Sequence, residues 1–129
     1  MSIEAPPTKV HTWGREIRIK QTEEMVVKHL EFFARGITSL HKHQKRQETL
    51  FISSGLFRIR WFCPYTDEYQ DLLNETANIS ITFEPNTLHQ IEALTDGIII
   101  ETSRFYDEFD TDRVPTPRPS YEDLGPSLR

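Results

Sequence analysis

Apolar positions along this chain recur mostly at every second residue, in short runs closed by turn-forming residues. Residues 26–33 read VVKHLEFF, rich in β-branched and aromatic side chains, and Gly36 follows. That composition predicts a strand and a turn, with Lys28 and His29 on opposite sides. Residues 49–62, TLFISSGLFRIRWF, form two β-rich runs broken at Ser53-Ser54-Gly55, where glycine permits the angles of a hairpin turn. In the second run, either Arg58 and Arg60 or Phe57, Ile59 and Trp61 face the interior, and the composition of cores favours the aromatics. Residues 78–83 alternate at period two. Residues 88–94 and 98–102 flank Thr95-Asp96-Gly97, an Asp-Gly turn that predicts a further hairpin. The first structured segment is expected over 10–19, behind an extended leader with Pro6 and Pro7. Only residues 66–75, TDEYQDLLNE, suit a short helix or a loop. Short strands at hairpin spacing, with no regular interleaving of helices, predict an all-β barrel or sandwich.

Composition narrows the picture further. The 129 residues suit one domain, and 36% apolar with 27% charged residues is the balance of a soluble globular protein. A net charge of −5 counts against nucleic-acid binding, which depends on Lys and Arg neutralising phosphates. Cys63 is the single cysteine, so no internal disulfide forms, and the N-terminus lacks the pattern of a signal peptide. No apolar run approaches the roughly 20 residues of a membrane span. A cytoplasmic protein without membrane association is expected. Two Asn-x-Ser/Thr sequons, at Asn74 and Asn78, are chance matches on that view. The tail after residue 113 carries four of the eight prolines. Proline removes a ladder donor and fixes extended or turn backbone. The chain therefore divides into an N-terminal arm at 1–11, a barrel at 12–114 and a Pro-rich tail at 115–129.

The chemistry is concentrated in residues 36–55, GITSLHKHQKRQETLFISSG. His41 and His43 are two apart and project from one face of a strand, so both imidazoles can reach one point. Gln44-Lys45-Arg46-Gln47 can form a bend that brings Glu48 back beside them. Two imidazoles and a carboxylate with open positions suit one divalent ion: manganese, iron, cobalt, nickel or zinc. His11 and His29 fit no such pattern and read as ordinary surface or core histidines.

This segment resembles the first motif of the cupins, in which a glycine precedes a His-x-His pair, a glutamate follows and a second glycine closes the stretch. Four residues rather than the usual five separate Gly36 from His41. The second cupin motif is a proline-containing turn followed by a histidine, here Glu84-Pro85-Asn86-Thr87-Leu88-His89. Asn86 or Thr87 stands where that turn usually has glycine, and Asn tolerates positive φ better than most residues. The resemblance implies a jelly-roll-like barrel, the double-stranded β-helix, and makes His89 a fourth ligand beside His41, His43 and Glu48.

Within the cupins the chain is similar to the sugar and sugar-phosphate isomerase branch, including the cupin domain of type II phosphomannose isomerases. Trp13-Gly14 matches its opening, Lys28 its internal lysine, Ser39-Leu40 and Arg46 its metal loop, and the acidic segment 107–112 before Arg113 its Asp-x-x-Arg ending. His41 replaces that branch's glutamine, and Thr49-Leu50 its His-Trp pair. The likeness implies an aldose–ketose isomerase for a sugar or sugar phosphate, whose ion stabilises an enediolate. Glu48, Lys28 or Glu101 would move the proton. Arg46, Arg113 and Lys28 would hold substrate oxygens, although a surface ion pair explains either arginine equally well. Other cupins are iron(II) dioxygenases or noncatalytic sugar-binding modules. A small carbohydrate is the expected ligand, and a homodimer the expected assembly, since pairing covers exposed sheet edges.

Overall fold

The structure, a computed structural model, describes residues 1–74, 76–104 and 110–113; the tail at 115–129 and half of the acidic segment, 107–109, lie outside the described residues. The described residues form eleven strands and no helix. They are β1 (Thr8–His11), β2 (Gly14–Gln21), β3 (Met25–Phe32), β4 (His41–His43), β5 (Gln47–Ser54), β6 (Phe57–Cys63), β7 (Glu68–Leu73), β8 (Ile79–Phe83), β9 (His89–Ala93), β10 (Gly97–Arg104) and β11 (Thr111–Arg113). Two antiparallel sheets result, six strands in the order β1-β2-β3-β10-β5-β8 and five in the order β11-β4-β9-β6-β7. Period two carries the burial: inward Lys28, Leu30 and Phe32 alternate with more exposed neighbours on β3, as do Glu48, Leu50 and Ile52 on β5.

Four expectations change. The leader's end and the first segment are two strands, β1 and β2, which pair as a hairpin. Residues 66–75 hold strand β7, not a helix. Cross-strand pairing with β6, including Arg60 Nε to Asp71 Oδ1 at 3.0 Å, outweighs the local polarity that suggested otherwise. Neither expected hairpin forms. β5 belongs to the six-stranded sheet and β6 to the other, and β9 and β10 are divided in the same way. The Asn74 side chain makes the first crossing, accepting from Phe57 N and donating to Gly55 O, while Gly55 takes φ +93°. β9 is buried along its whole length and pairs with β6 and β4 on its two sides, which leaves no edge for β10. Finally, Phe57 and Ile59 do face the interior, but Arg60 is not solvated: it is buried on the outer face against Asp71.

The interior divides along the strands. Phe32, Ile52, Phe57, Ala93 and Ile99 pack one end of the sandwich. Lys28, Glu48, His89, Glu101 and Ser103 occupy the inward positions toward the other, through registers such as Lys28↔Glu101 and Glu48↔Ser103. Buried charge is expensive unless paired, so this polar end marks where function has displaced packing.

Candidate metal centre

His41 and His43 leave β4 on one face, His89 lies directly across the ladder from His41, and Glu48 enters from β5 of the opposite sheet. One ligand atom from each of the four lies within 4.8 Å of the others. The rings are held from behind. His41 Nδ1 meets Ser39 O at 2.7 Å, and His89 Nδ1 meets Thr87 O at 2.7 Å. A carbonyl only accepts, so each Nδ1 carries a proton and each Nε2 is the nitrogen left to face an ion. His43 Nδ1 faces Asp110 O at 3.3 Å and Thr111 Oγ1 at 3.2 Å. Glu48 Oε1 lies 2.7 Å from His43 Nε2, and its Oε2 lies 3.1 Å from His89 Nε2. Three oriented imidazoles and one carboxylate on a common point fit a divalent metal ion, and the donor set leaves its identity open among borderline ions. Asn86, in the glycine position of the second motif, takes φ +66° and donates from its N to His43 O.

The charge states follow from burial. The His41 imidazole, buried beside His89, is pushed down to about 3 and stays neutral. Burial works to raise the Glu48 carboxyl, but His43 and His89 outweigh it and hold that carboxyl well below the usual range. The His89 imidazole moves upward because Glu48 outweighs its desolvation.

All eight residues singled out in the sequence line one cavity of about 1080 Å³: the four above with Lys28, Arg46, Glu101 and Arg113. Arg46 Nη1 lies 3.1 Å from Glu48 Oε1 and 3.4 Å from His43 Nε2, so its guanidinium borders the centre itself. Glu101, buried and close to Glu48, is pushed up to about 7 despite Lys28 and Arg46. Ser103 Oγ donates to it at 3.4 Å. Arg113 stands on β11, in register with His41.

Two residues of the site have no counterpart in the sequence pattern, and a third had a motif position without a role. Glu16 and His11 line the same cavity and bond to each other at 2.6 Å. Alternation from Gly14 along β2 puts Glu16 inward and was the available signal. Asp110 receives Gln44 N at 2.9 Å, Lys45 N at 2.8 Å and Arg46 N at 3.1 Å, fixing the bend between His43 and Glu48. Those three bonds hold its carboxyl low although desolvation opposes them. It is the Asp of the Asp-x-x-Arg ending, a match that gave its position but not this role.

No family model and no curated protein matches the chain. Solved structures do match. The capsular polysaccharide assembling protein CapF of Staphylococcus aureus superposes with TM-score 0.74 at 19% identity, over 87% of this chain and 32% of that one. An RmlC-like cupin from Shewanella frigidimarina superposes with TM-score 0.61 at 19% identity, over 74% of this chain and 78% of that one. The chain has the cupin fold. KdgF from Halomonas sp. gives TM-score 0.62 at 15% identity, over 77% and 90%. The chain spans about a third of the length of CapF, and identities this low carry the fold alone.

Proposed function

We propose that this cupin binds one divalent metal ion on His41, His43, Glu48 and His89 and isomerises, or closely related to that, transforms a sugar or sugar phosphate. The observation that carries the reading is one cavity holding the ligand cluster together with Lys28, Arg46 and Arg113 and a carboxyl that titrates near neutrality. A bound ion supplies Lewis-acid polarisation of a carbonyl and its neighbouring hydroxyl. Arg46 and Arg113 supply paired donors for phosphate or hydroxyl oxygens, and Lys28 a third cation. Of the three groups considered for proton transfer, Glu48 is engaged by His43, His89 and Arg46. Glu101, with its acidity matched to neutral pH, is the better proton carrier. CapF, a protein named for capsular polysaccharide assembly, is carbohydrate-related, and that agrees with a sugar ligand.

The test is metal content followed by turnover. Untagged protein should contain about one ion per chain. His43→Ala and Glu48→Ala should lose it, and the loaded protein should interconvert an aldose and a ketose phosphate. Oxygen consumption with iron(II) in place of interconversion would favour a dioxygenase, and sugar bound unchanged a binding module. Absence of metal after loading with manganese, iron, nickel and zinc would refute the centre.

A further inference from the structure

An aldose–ketose conversion moves two protons, one between neighbouring carbons and one between their oxygens, and Glu101 is a single carrier. A second acid–base pair stands in the same cavity on β1 and β2. His11 Nε2 lies 2.6 Å from Glu16 Oε1, and Lys28 Nζ lies 3.4 Å from Glu16 Oε2. Burial works to raise the Glu16 carboxyl, but Lys28 and His11 together hold it below its usual value, so it is a charged acceptor. A carboxylate facing Nε2 keeps the proton on that nitrogen and leaves the lone pair on Nδ1, which has no hydrogen-bond partner among the described residues. The ring cannot easily turn: it stacks on Trp13 at 4.5 Å and 9°, and Trp13 stacks on Phe32 at 4.4 Å. The His11 side chain is 23% exposed and that of Glu16 is 11% exposed, while both line the cavity. A merely structural ion pair would need neither that opening nor a free ring nitrogen.

We propose that His11, oriented by Glu16, is the base and acid that moves the carbon-bound proton of the substrate. This rests on the isomerase reading above. Nδ1 takes the proton from the carbon next to the carbonyl, the C–H electron pair becomes the carbon–carbon double bond, and the carbonyl π pair moves onto its oxygen. The imidazolium then returns the proton to the neighbouring carbon, the hydroxyl proton of the other carbon passes to the former carbonyl oxygen as a carbonyl re-forms on that other carbon, and neutral His11 is regenerated. No oxidant or reductant is consumed. Glu16 and Lys28 stay in place as positioning residues.

The full chain, loaded with manganese, would be incubated in D2O with fructose 6-phosphate and with ribulose 5-phosphate. Deuterium entering the substrate carbon would be followed by NMR, and bound metal would be measured in parallel. His11→Gln keeps a donor toward Glu16 and removes the base, so exchange should slow by about 100-fold or more at unchanged metal content. Glu16→Gln should slow it by at least about tenfold. In His11→Ala, added imidazole should restore part of the exchange, a response that a packing role would not give. Exchange in His11→Gln within about twofold of wild type, with the wild type active, would overturn the His11 role and leave the isomerase reading standing. Metal-loaded wild type that exchanges with neither sugar would overturn both.

Discussion

Inside the barrel Glu101 has Lys28 across one ladder and Leu50 across the other, so burial and the nearby Glu48 outweigh the cations Lys28 and Arg46. Its acidity falls from the ordinary 4.5 to about 7 on folding. The folded chain therefore holds an extra proton between those values, and stability present below about 4.5 is lost as pH rises through about 7. Glu101→Gln should remove that loss. In urea unfolding with chelator present, its advantage over wild type should grow by roughly 3 kcal/mol between the two pH limits. Parallel profiles would show that Glu101 titrates alike in the folded and unfolded chain. At this scale the ligands were legible because His-x-His and the following Glu48 form a local pattern, and His89 follows a proline-containing turn. His11 and Glu16 were not, nor was the role of Asp110, because each acts through a partner on another strand or across a loop.

At the scale of the elements, period-two alternation located most strands but carried no information about which sheet each joins. The turn at Gly55 was legible, whereas its outcome was decided by the Asn74 side chain just after β7. Polar β7 took its conformation from β6. The glycine of Trp13-Gly14 has a reason that only the register supplies: a Cβ at Gly14 would stand 1.8 Å from Glu31 O on β3. Gly14→Ala should force β2 away from β3 and destabilise the chain by about 2 kcal/mol or more, read as a lowered thermal midpoint. Asp110, just before β11, clamps the bend between two ligand-bearing strands. Asp110→Asn loses the charge and one of two accepting oxygens, so zinc affinity by calorimetric titration should fall about 10- to 100-fold. Unchanged affinity would mean that β4 and β5 hold the bend unaided.

Over the whole molecule, the ligands come from both sheets, His41, His43 and His89 from one and Glu48 from the other. An ion there cross-links the sandwich, so chelation should lower the thermal midpoint of wild type and leave Glu48→Ala unmoved. Among the described residues no helix is long and apolar enough to cross a membrane. One edge of the six-stranded sheet is β1, where Val10 is 81% exposed, and Ile3 before it is 87% exposed. We expect two chains to pair there, a homodimer by light scattering that a single-chain mass at every concentration would disprove. The division of the interior along its strands has an evolutionary corollary. Ile52, Phe57, Ala93 and Ile99 contribute to the core without lining the cavity, while Lys28, Arg46, Glu101 and Arg113 line the cavity without joining that core. Apart from Trp13, Leu30 and Ile91, which belong to both, robustness and selectivity are thus written in separate sets of positions, and a lineage could exchange one substrate for another at the polar end while inheriting the packed end intact.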